Sequence, residues 1–260
     1  MNILVINVYS SQNAGDAALS ELTIQQLKEN FPQSRIILAM DDPESHRGEG
    51  EVIGALSTWL KKVGRNGRPA WRKLRLFGLI PITALPLLTR RLFGRPMLAL
   101  TPPALRQLLQ AYLTADLIIS TPGGFLYHSA HGLTLLIVAY PIIMAVMTGK
   151  PLYVFPQSFG PFVYRWERFM MRWLLTRARV VMAREPISFQ HLQACGLSHP
   201  RCYLMPDLAF TYPAAPRSTA ERWLQSHGIK AGEDKPLLGI TIVNWGALNS
   251  RFGLQAEYEA

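Results

Sequence analysis

Short apolar runs alternate with segments of helical periodicity along most of the chain, and this alternation limits the folds open to it. Continuous apolar runs of four to eight residues are typical of strands that are covered on both faces. Strands separated by helices pair in parallel, so the pattern predicts an α/β, doubly wound, Rossmann-like sheet. In such a sheet the ligand binds beyond the carboxyl ends of the strands. The runs lie at residues 3–8, 35–40, 117–120, 152–155, 180–183, 203–205 and 237–243.

The segment 162–177 has the clearest helical period. Its large apolar residues recur every three or four positions, and its arginines face away from them. This spacing predicts an amphipathic helix. The apolar positions are Trp166, Phe169, Met170, Trp173 and Leu174, and the arginines are Arg165, Arg168 and Arg172.

The positive charge of the chain is concentrated in one stretch. The 260 residues include 27 basic and 17 acidic ones, yet residues 52–115 hold 11 of the basic residues and none of the acidic ones. The remainder of the chain is therefore close to neutral. A basic segment interleaved with an apolar run, without a nucleic-acid-binding motif, argues against nucleic acid as a partner.

The basic segment, residues 61–95, surrounds an uncharged apolar run at 77–89. That run of 13 residues contains Pro81 and Pro86, and it is too short to span a bilayer core of about 30 Å. One interpretation is an interfacial anchor on an anionic membrane, where each Lys or Arg contributes about 1 kcal/mol. The other is a mobile cationic loop whose apolar part packs on the domain.

Cysteine content and the N-terminus bear on location. Two cysteines in a chain of this length form no disulfide framework, which favours a reducing compartment. Residues 1–8 lack a basic region and a cleavage site, so they are interpreted as a first strand and not as a signal peptide. We expect a cytoplasmic protein, attached to the inner face of the membrane if the basic segment is an anchor. The spacing of Cys195, His199 and Cys202 does not suit zinc, and no metal is expected.

The loop after the first strand contains Asn13, Gly15 and Asp16. Gly15 permits a tight turn or the close approach of a ligand. Asn13 and Asp16 can cap the following helix, expected at 17–29, or hydrogen-bond a ligand. In the purely structural interpretation Asp16 is the N-cap.

Two later loops combine glycine with polar side chains. Gly123 and Gly124 follow a strand and allow backbone amides to approach a ligand, although turn chemistry explains them equally well. His128 comes shortly afterwards and is a candidate general acid or base. Gln157 and Ser158 follow another strand and are suited to sugar hydroxyls or a carboxylate.

The last two loops carry opposite charges at strand ends. Arg184 ends a buried strand at the start of a helix, which suits the binding of a phosphate or carboxylate. The alternative is an ion pair with Glu185 or Asp207. Asp207 itself follows the next strand, so all five loops lie where an α/β sheet binds its ligand.

Taken in order, the five loops resemble the polysaccharide pyruvyl transferase family over about residues 1–245. The family's segments N-x-G-D-x-A, a glycine cluster, G-P before a helix, R-E/D-x-x-S and P-D-x-A-F are all present, although Pro122 replaces the first glycine of the cluster. The matching residues are Asn13, Gly15, Asp16, Ala18, Gly123, Gly124, Gly160, Pro161, Arg184, Glu185, Ser188, Pro206, Asp207, Ala209 and Phe210.

The resemblance implies a GT-B-type fold of two Rossmann-like halves. Residues 1–232 are then the N-terminal half, with an insert at about 52–100. Residues 233–260 provide the first strand, at 237–243, of a second half that is largely missing. The family's later arginine–histidine motif has no counterpart. We therefore interpret the chain as a fragment or a truncated gene product, and the sequence leaves open whether it is active as it stands.

The resemblance also implies a reaction, the transfer of the enolpyruvyl group of phosphoenolpyruvate onto two hydroxyls of one sugar. No cofactor is required. Arg184 is the expected anion contact, Asp16 and Asp207 contact acceptor hydroxyls or act as general base, and His128 is the candidate acid. The expected substrate-binding residues are Asn13, Gly15, Gly123, Gly124, Gln157, Ser158, Gly160 and Ser188.

Two other functions remain open. One is a glycosyltransferase of the same architecture that uses a nucleotide sugar. The other is a non-enzymatic membrane-binding module that depends on the basic segment. The sugar acceptor, in the first interpretation, is a cell-surface polysaccharide or a lipid-linked precursor.

Overall fold

A computed structural model describes residues 1–64, 69–99, 101–129, 134–198, 200–229 and 237–240, and its eight strands form one parallel sheet. The predicted runs between residues 3 and 205 are confirmed as strands. Two further strands were not predicted, because one has only two apolar residues, between Glu51 and Gly54, and the other begins with two glycines. The strands are β1 (Asn2–Val8), β2 (Arg35–Met40), β3 (Glu51–Gly54), β4 (Leu117–Ser120), β5 (Gly123–Leu126), β6 (Leu152–Phe159), β7 (Val180–Ala183) and β8 (Cys202–Leu204).

The strand order is β3-β2-β1-β4-β6-β7-β8, with β5 beside β6. From β1 to β3 the strands are added toward one edge of the sheet, and from β4 onward they are added toward the other edge. Open α/β sheets form a ligand crevice at this switch point, here between β1 and β4. After β4 ends at Ser120, which pairs with Val154, β5 takes its place beside β6, where Gly123 pairs with Gln157. The two glycines thus lie directly at the carboxyl end of the sheet. The predicted α/β, doubly wound fold is confirmed.

Helices cover both faces of the sheet. On one face, Ile24 and Leu27 of the first helix pack against Ile3 and Val5. The other face is covered by the helices that follow, up to residue 194. The helices are α1 (Ala14–Asn30), α2 (Leu56–Gly64), α3 (Pro69–Phe93), α4 (Pro103–Thr114), α5 (Thr134–Thr148), α6 (Arg165–Leu175), α7 (Pro186–Ala194) and α8 (Arg217–Ser226).

The chain divides into two compact units, Met1–Tyr212 and Pro213–Ala260. The sheet and α1–α7 form the first unit, and α8 belongs to the second. Residues 237–240 have no regular secondary structure, and 241–243 lie outside the described residues. The strand at 237–243 and the second half of the fold stay predictions.

The basic segment is helical in its described part, because α3 continues through both of its internal prolines. Leu79, Thr83 and Leu87 are buried on one face, and the Thr83 hydroxyl lies 2.7 Å from the Tyr140 hydroxyl of α5. A proline inside a helix costs about 3 kcal/mol, and burial of one leucine contributes about 1.5–3 kcal/mol. Packing against α5 therefore offsets much of the cost of the prolines.

The interpretation of the basic segment as a loop is wrong, whereas the packing of its apolar part on the domain is confirmed. At the end of α3, Leu92 and Phe93 project into solvent beside Arg90 and Arg91. Within the described ranges, no helix combines the length and apolarity needed to cross a bilayer. Arg65 and Arg68 lie outside the described residues.

The expected period of α6 does not correspond to its burial. Trp166, Phe169 and Trp173 are 41%, 73% and 36% exposed. The buried side of the helix instead includes Glu167, whose carboxylate accepts a hydrogen bond from the backbone amide of Tyr164 and contacts His128. The aromatic side chains therefore face outward. The buried residues of α6 are Glu167, Met171, Leu174 and Leu175.

Candidate active site

Arg184 follows β7 and joins residues at the carboxyl ends of three neighbouring strands, where Ser158 is still within β6. Its Nε donates a hydrogen bond to Ser158 Oγ at 2.7 Å, and its Nη1 donates to Asp207 Oδ2 at 2.6 Å. Its Nε is also 3.3 Å from Glu185 Oε2. Because β6, β7 and β8 are parallel neighbours, residues at their carboxyl ends meet. The structure thus brings together Ser158, Arg184 and Asp207, as expected from their positions after strands.

Asp207 has a structural role as well as its contact with Arg184. Its Oδ1 accepts a hydrogen bond from the Ala209 amide at 2.9 Å, which caps a 3-10 turn at Leu208–Thr211. The two carboxylate oxygens are therefore divided between the backbone and Arg184. The carboxylate is held in one orientation, with 22% of the side chain exposed.

Glu185 and Ser188 extend this hydrogen-bonded group. Ser158 Oγ donates to Glu185 Oε2 at 3.1 Å, and the Ser188 hydroxyl donates to the other Glu185 oxygen. Ser188 Oγ accepts from the Phe159 amide at 2.7 Å, so it fixes the end of β6. Arg184 contacts two carboxylates, and the group is net negative when all three are ionised. Both ion pairs considered from the sequence are present, and an incoming anion competes with them for the guanidinium.

Gly124 lies against the Arg184 guanidinium. A Cβ at this position would lie 3.0 Å from Arg184 Nη2 and 3.7 Å from Ser158 Oγ. A gap of 3.0 Å is shorter than ordinary van der Waals contact, so a larger residue displaces the guanidinium. Gly124 therefore leaves room for the guanidinium, whereas a Cβ at Gly123 would instead meet the Phe125 ring at 3.2 Å.

Gln157 is a buried polar residue beside this group. Its side chain is fully buried, and neither Oε1 nor Nε2 has a hydrogen-bond partner among the described residues. Leaving such a group unpaired costs about 1–3 kcal/mol. The hydroxyls of Ser120 and Thr121, at the end of β4, are also buried and have no hydrogen-bond partner among the described residues. Unpaired polar groups therefore lie at the carboxyl ends of two neighbouring strands, β4 and β6, where an α/β sheet binds its ligand.

His128 pairs with a residue that the sequence interpretation missed. Its Nδ1 is 2.8 Å from Glu167 Oε1, and Glu167 is fully buried. The imidazole also lies edge-on to Tyr164, with ring centroids 5.1 Å apart. Glu167 is the only carboxylate between residues 117 and 184, and that isolation was the available signal.

Gly160 directly follows β6, five residues before α6 begins. Its φ is +72°, and a Cβ would lie 2.8 Å from the ring of His191. Only glycine fits this conformation and this space. The next residue, Pro161, accepts a hydrogen bond from the His128 amide at 2.9 Å. Gly160 therefore has a structural role in placing the His128 loop.

The helix that follows the first loop has a different N-cap from the one expected. Helix α1 begins at Ala14, and Asn13 is its N-cap, accepting from the amides of Gly15 and Asp16 at 2.9 and 3.2 Å. The interpretation of Asp16 as N-cap is wrong, because the Asn13 side chain captures the free amides first. Asp16 lies in the first turn, and burial raises the pKa of its carboxyl.

Tyr9 connects this loop to β5, the strand that begins with Gly123 and Gly124. Its ring packs edge-on against Phe125, with centroids 5.4 Å apart. Burial, and then the charges of Asp41 and Asp16, raise the pKa of the Tyr9 phenol. Among the described residues, no hydrogen bond joins Asn13 or Asp16 to the Arg184 group. The contact between the rings of Tyr9 and Phe125 instead links the first loop to β5.

Metal binding has no support in the described part of the chain, where no three His, Cys, Asp or Glu residues are grouped. Cys195 and Cys202 are buried and unpaired. Burial raises the pKa of the Cys202 thiol to about 11. His199 lies outside the described residues.

Comparison with known proteins identifies the family. A family model described as polysaccharide pyruvyl transferase matches residues 13–253. The chain belongs to the polysaccharide pyruvyl transferase family, as its five loops indicated, and this family is one of transferases.

Other comparisons are weaker. No curated protein sequence matches the chain. An uncharacterised protein of Klebsiella pneumoniae is 16% identical, with a TM-score of 0.29 over 38% of this chain and 34% of that protein. The wall teichoic acid polymerase TagF is 10% identical, with a TM-score of 0.38 over 86% of this chain and 43% of that protein. The chain spans less than half the length of both.

Proposed function

We propose that this chain transfers the enolpyruvyl group of phosphoenolpyruvate onto two hydroxyls of one sugar, in a cell-surface polysaccharide or a lipid-linked precursor. The observation that carries the proposal is the group formed by Ser158, Arg184 and Asp207 at the ends of β6, β7 and β8. It combines a cation for an anionic donor with oxygen acceptors for sugar hydroxyls. Family membership supports the reaction class.

The reaction forms two C–O bonds at C2 of the donor and breaks the bond from C2 to the phosphate oxygen. One hydroxyl proton is delivered to C3, which becomes a methyl group, and the other leaves with phosphate. The protein must therefore bind an anion, remove protons from hydroxyls and deliver one proton to carbon.

In the proposed mechanism Arg184 binds the donor carboxylate or phosphate, exchanging part of its contact with Asp207 for the ligand. The released Asp207 oxygen, or Asp16, accepts a proton from an acceptor hydroxyl. Gln157 and Ser158 orient the sugar. No cofactor takes part.

His128 is the proposed acid. With Nδ1–H donated to Glu167, its Nε2 is the nitrogen that exchanges a proton with substrate. The buried carboxylate accepts the Nδ1–H hydrogen bond and fixes the orientation of the ring. Glu167 is thus a positioning residue for the proton that reaches C3.

The decisive variant is Arg184→Ala. A hydrogen bond to a charged group contributes about 1.5–3 kcal/mol, so we expect phosphoenolpyruvate affinity to fall by about ten- to 150-fold in calorimetry. The matched control is Arg179→Ala, an exposed arginine just before the amino end of the same strand. Phosphate release and the mass of the ketal, measured with a panel of methyl hexosides, report turnover. Equal donor affinity in the two variants would refute the role of Arg184.

The glycosyltransferase alternative predicts a different donor. Release of a nucleoside diphosphate from nucleotide sugars, with phosphoenolpyruvate inert, would replace the present proposal. Asp207 and Ser158 would then bind the sugar part of that donor.

We also propose that the protein is cytoplasmic and attaches peripherally to an anionic membrane through residues 61–95. The exposed Leu92 and Phe93 lie beside Arg90 and Arg91, a combination typical of interfacial helices. In flotation with phosphatidylglycerol vesicles, Leu92→Glu/Phe93→Glu should lose most of the bound fraction. Phe31→Glu, a 40% exposed residue at the end of α1, is the control. Equal flotation of both variants would contradict the anchor.

A further inference from the structure

The outward side of α6 exposes three large aromatic side chains. Trp166, Phe169 and Trp173 recur at helical spacing and are 41%, 73% and 36% exposed. Side chains three or four positions apart are neighbours on a helix surface, so these rings form one patch, the aromatic face of α6. Single exposed apolar residues are ordinary, whereas an apolar patch with a polar rim marks a surface that contacts a partner or a membrane.

The packing of the opposite side keeps this face at the surface. Met171, Leu174 and Leu175 are each 0% exposed and belong to the core cluster that also contains the buried residues of α5. Glu167 is buried on the same side, where it meets His128. The helix therefore cannot turn its aromatic rings into the core without breaking these contacts.

The rim of the aromatic face carries positive charge. Residues 162–179 include five arginines and one acidic residue, Glu167, whose carboxylate is buried. Arg165, Arg168 and Arg172 are exposed, and among the described residues no carboxylate forms an ion pair with them. The charge of these guanidinium groups is therefore available to an anionic partner.

This combination selects one kind of occupant. A second copy of the chain, docked on α6 about a two-fold axis, would place the arginines of the two helices against each other, with no exposed carboxylate on either helix to compensate. An anionic lipid surface instead attracts the arginines. Tryptophan is favoured where lipid headgroups meet acyl chains, because its ring is amphipathic. Arg177 already lies over the Trp173 ring, 4.5 Å from its centroid, as arginine does when its stem follows apolar surface.

Helix α6 lies on the same side of the sheet as the basic segment. Buried residues of α3, α5 and α6 belong to one core cluster, and those of α1 belong to the cluster on the opposite face. The aromatic face of α6 and the exposed end of α3 are thus two separate surfaces on one side of the protein.

We propose that the aromatic face of α6 docks on an anionic lipid membrane, with its rings among the headgroups and its arginines on lipid phosphates. The surface is separate from residues 61–95, so the inference goes beyond the proposed attachment and does not depend on pyruvyl transfer. Two separate contacts fix the orientation of the protein on a membrane, whereas one contact leaves it free to tilt.

The first test uses the tryptophans of the face as reporters of insertion. The full chain is mixed with phosphatidylglycerol vesicles whose acyl chains are brominated, because bromine quenches the fluorescence of inserted tryptophan. Trp166→Phe/Trp173→Phe keeps the face apolar, so it should still bind and lose at least half of the quenching. Trp223→Phe, at a 58% exposed position of α8, is the control and should retain it. Equal quenching in the two variants overturns the proposal.

The second test measures partitioning onto the same lipids by flotation. Phe169→Glu removes the most exposed ring and adds a negative charge, so the partition coefficient should fall at least tenfold. The matched control is Phe31→Glu, on the opposite face of the sheet, which should partition like the wild type. Thermal unfolding shows that α6 remains packed in both variants. Equal partitioning of the two variants, or equal wild-type binding to phosphatidylcholine and phosphatidylglycerol vesicles, overturns the proposal.

Two further outcomes separate this inference from its alternatives. A dimer in sedimentation velocity that Phe169→Glu dissociates, without vesicle binding, assigns the face to a second copy and overturns the proposal. Partitioning that is lost in Leu92→Glu/Phe93→Glu but not in Phe169→Glu retains the proposed anchor and overturns the contact at α6, whereas the opposite result retains α6 and removes the anchor. Turnover of phosphoenolpyruvate with a water-soluble sugar tests pyruvyl transfer separately from both.

Discussion

Replacing Glu167 by alanine removes a fully buried carboxylate that accepts two hydrogen bonds. The bond from His128 to a charged acceptor contributes about 1.5–3 kcal/mol. The bond from the Tyr164 amide caps α6, and loss of a cap costs about 1 kcal/mol. We therefore expect the free energy of unfolding to fall by about 2.5–4 kcal/mol.

The assay is urea unfolding followed by circular dichroism, with Glu167→Gln and Glu51→Ala measured alongside. Glutamine keeps one acceptor oxygen and the side-chain volume, so it should cost about half as much as alanine. Glu51 forms an exposed ion pair with Arg35, and exposed pairs contribute about 0–1 kcal/mol. A loss in Glu167→Ala no larger than that in Glu51→Ala would refute the assignment of Glu167 as a buried anchor of α6.

Two further predictions concern the site and the thiols. Gly124→Ala should displace the Arg184 guanidinium and reduce phosphoenolpyruvate affinity at least tenfold with little change in unfolding free energy, measured by calorimetry and urea titration; unchanged donor affinity would contradict the close contact. Cys202, with its pKa raised to about 11 by burial, has about one thiolate in a thousand at pH 8. A thiol reagent at pH 8 should therefore label Cys195 and Cys202 slowly in the native protein and rapidly in urea, and fast native labelling would show that they are accessible.

Much of the sheet was predictable from the sequence because its strands are continuous apolar runs with turns between them. The order of strands and loops along the chain also predicted that Ser158, Arg184 and Asp207 lie at strand ends. The structure joins these three residues by hydrogen bonds. The start of α1 was less predictable. Asn13 and Asp16 are both good caps, and the difference depends on which side chain reaches the free amides.

Helix α6 shows why periodicity alone was insufficient. Its aromatic residues recur at helical spacing, yet the helix turns Glu167 inward because His128 lies 39 residues earlier in the chain and meets it in the fold. A period identifies which side chains share a face of a helix. It does not identify which face is buried.

The amino-acid sequence by itself determined the parallel α/β sheet, the loops that carry polar residues and the family. These properties depend on neighbours within a few positions, or on their order along the chain. Only the tertiary structure decided that α3 is a packed helix and that Glu167 pairs with His128. Each of these results from contacts between residues far apart in sequence, whose energies outweigh local preferences such as the helix-breaking tendency of proline.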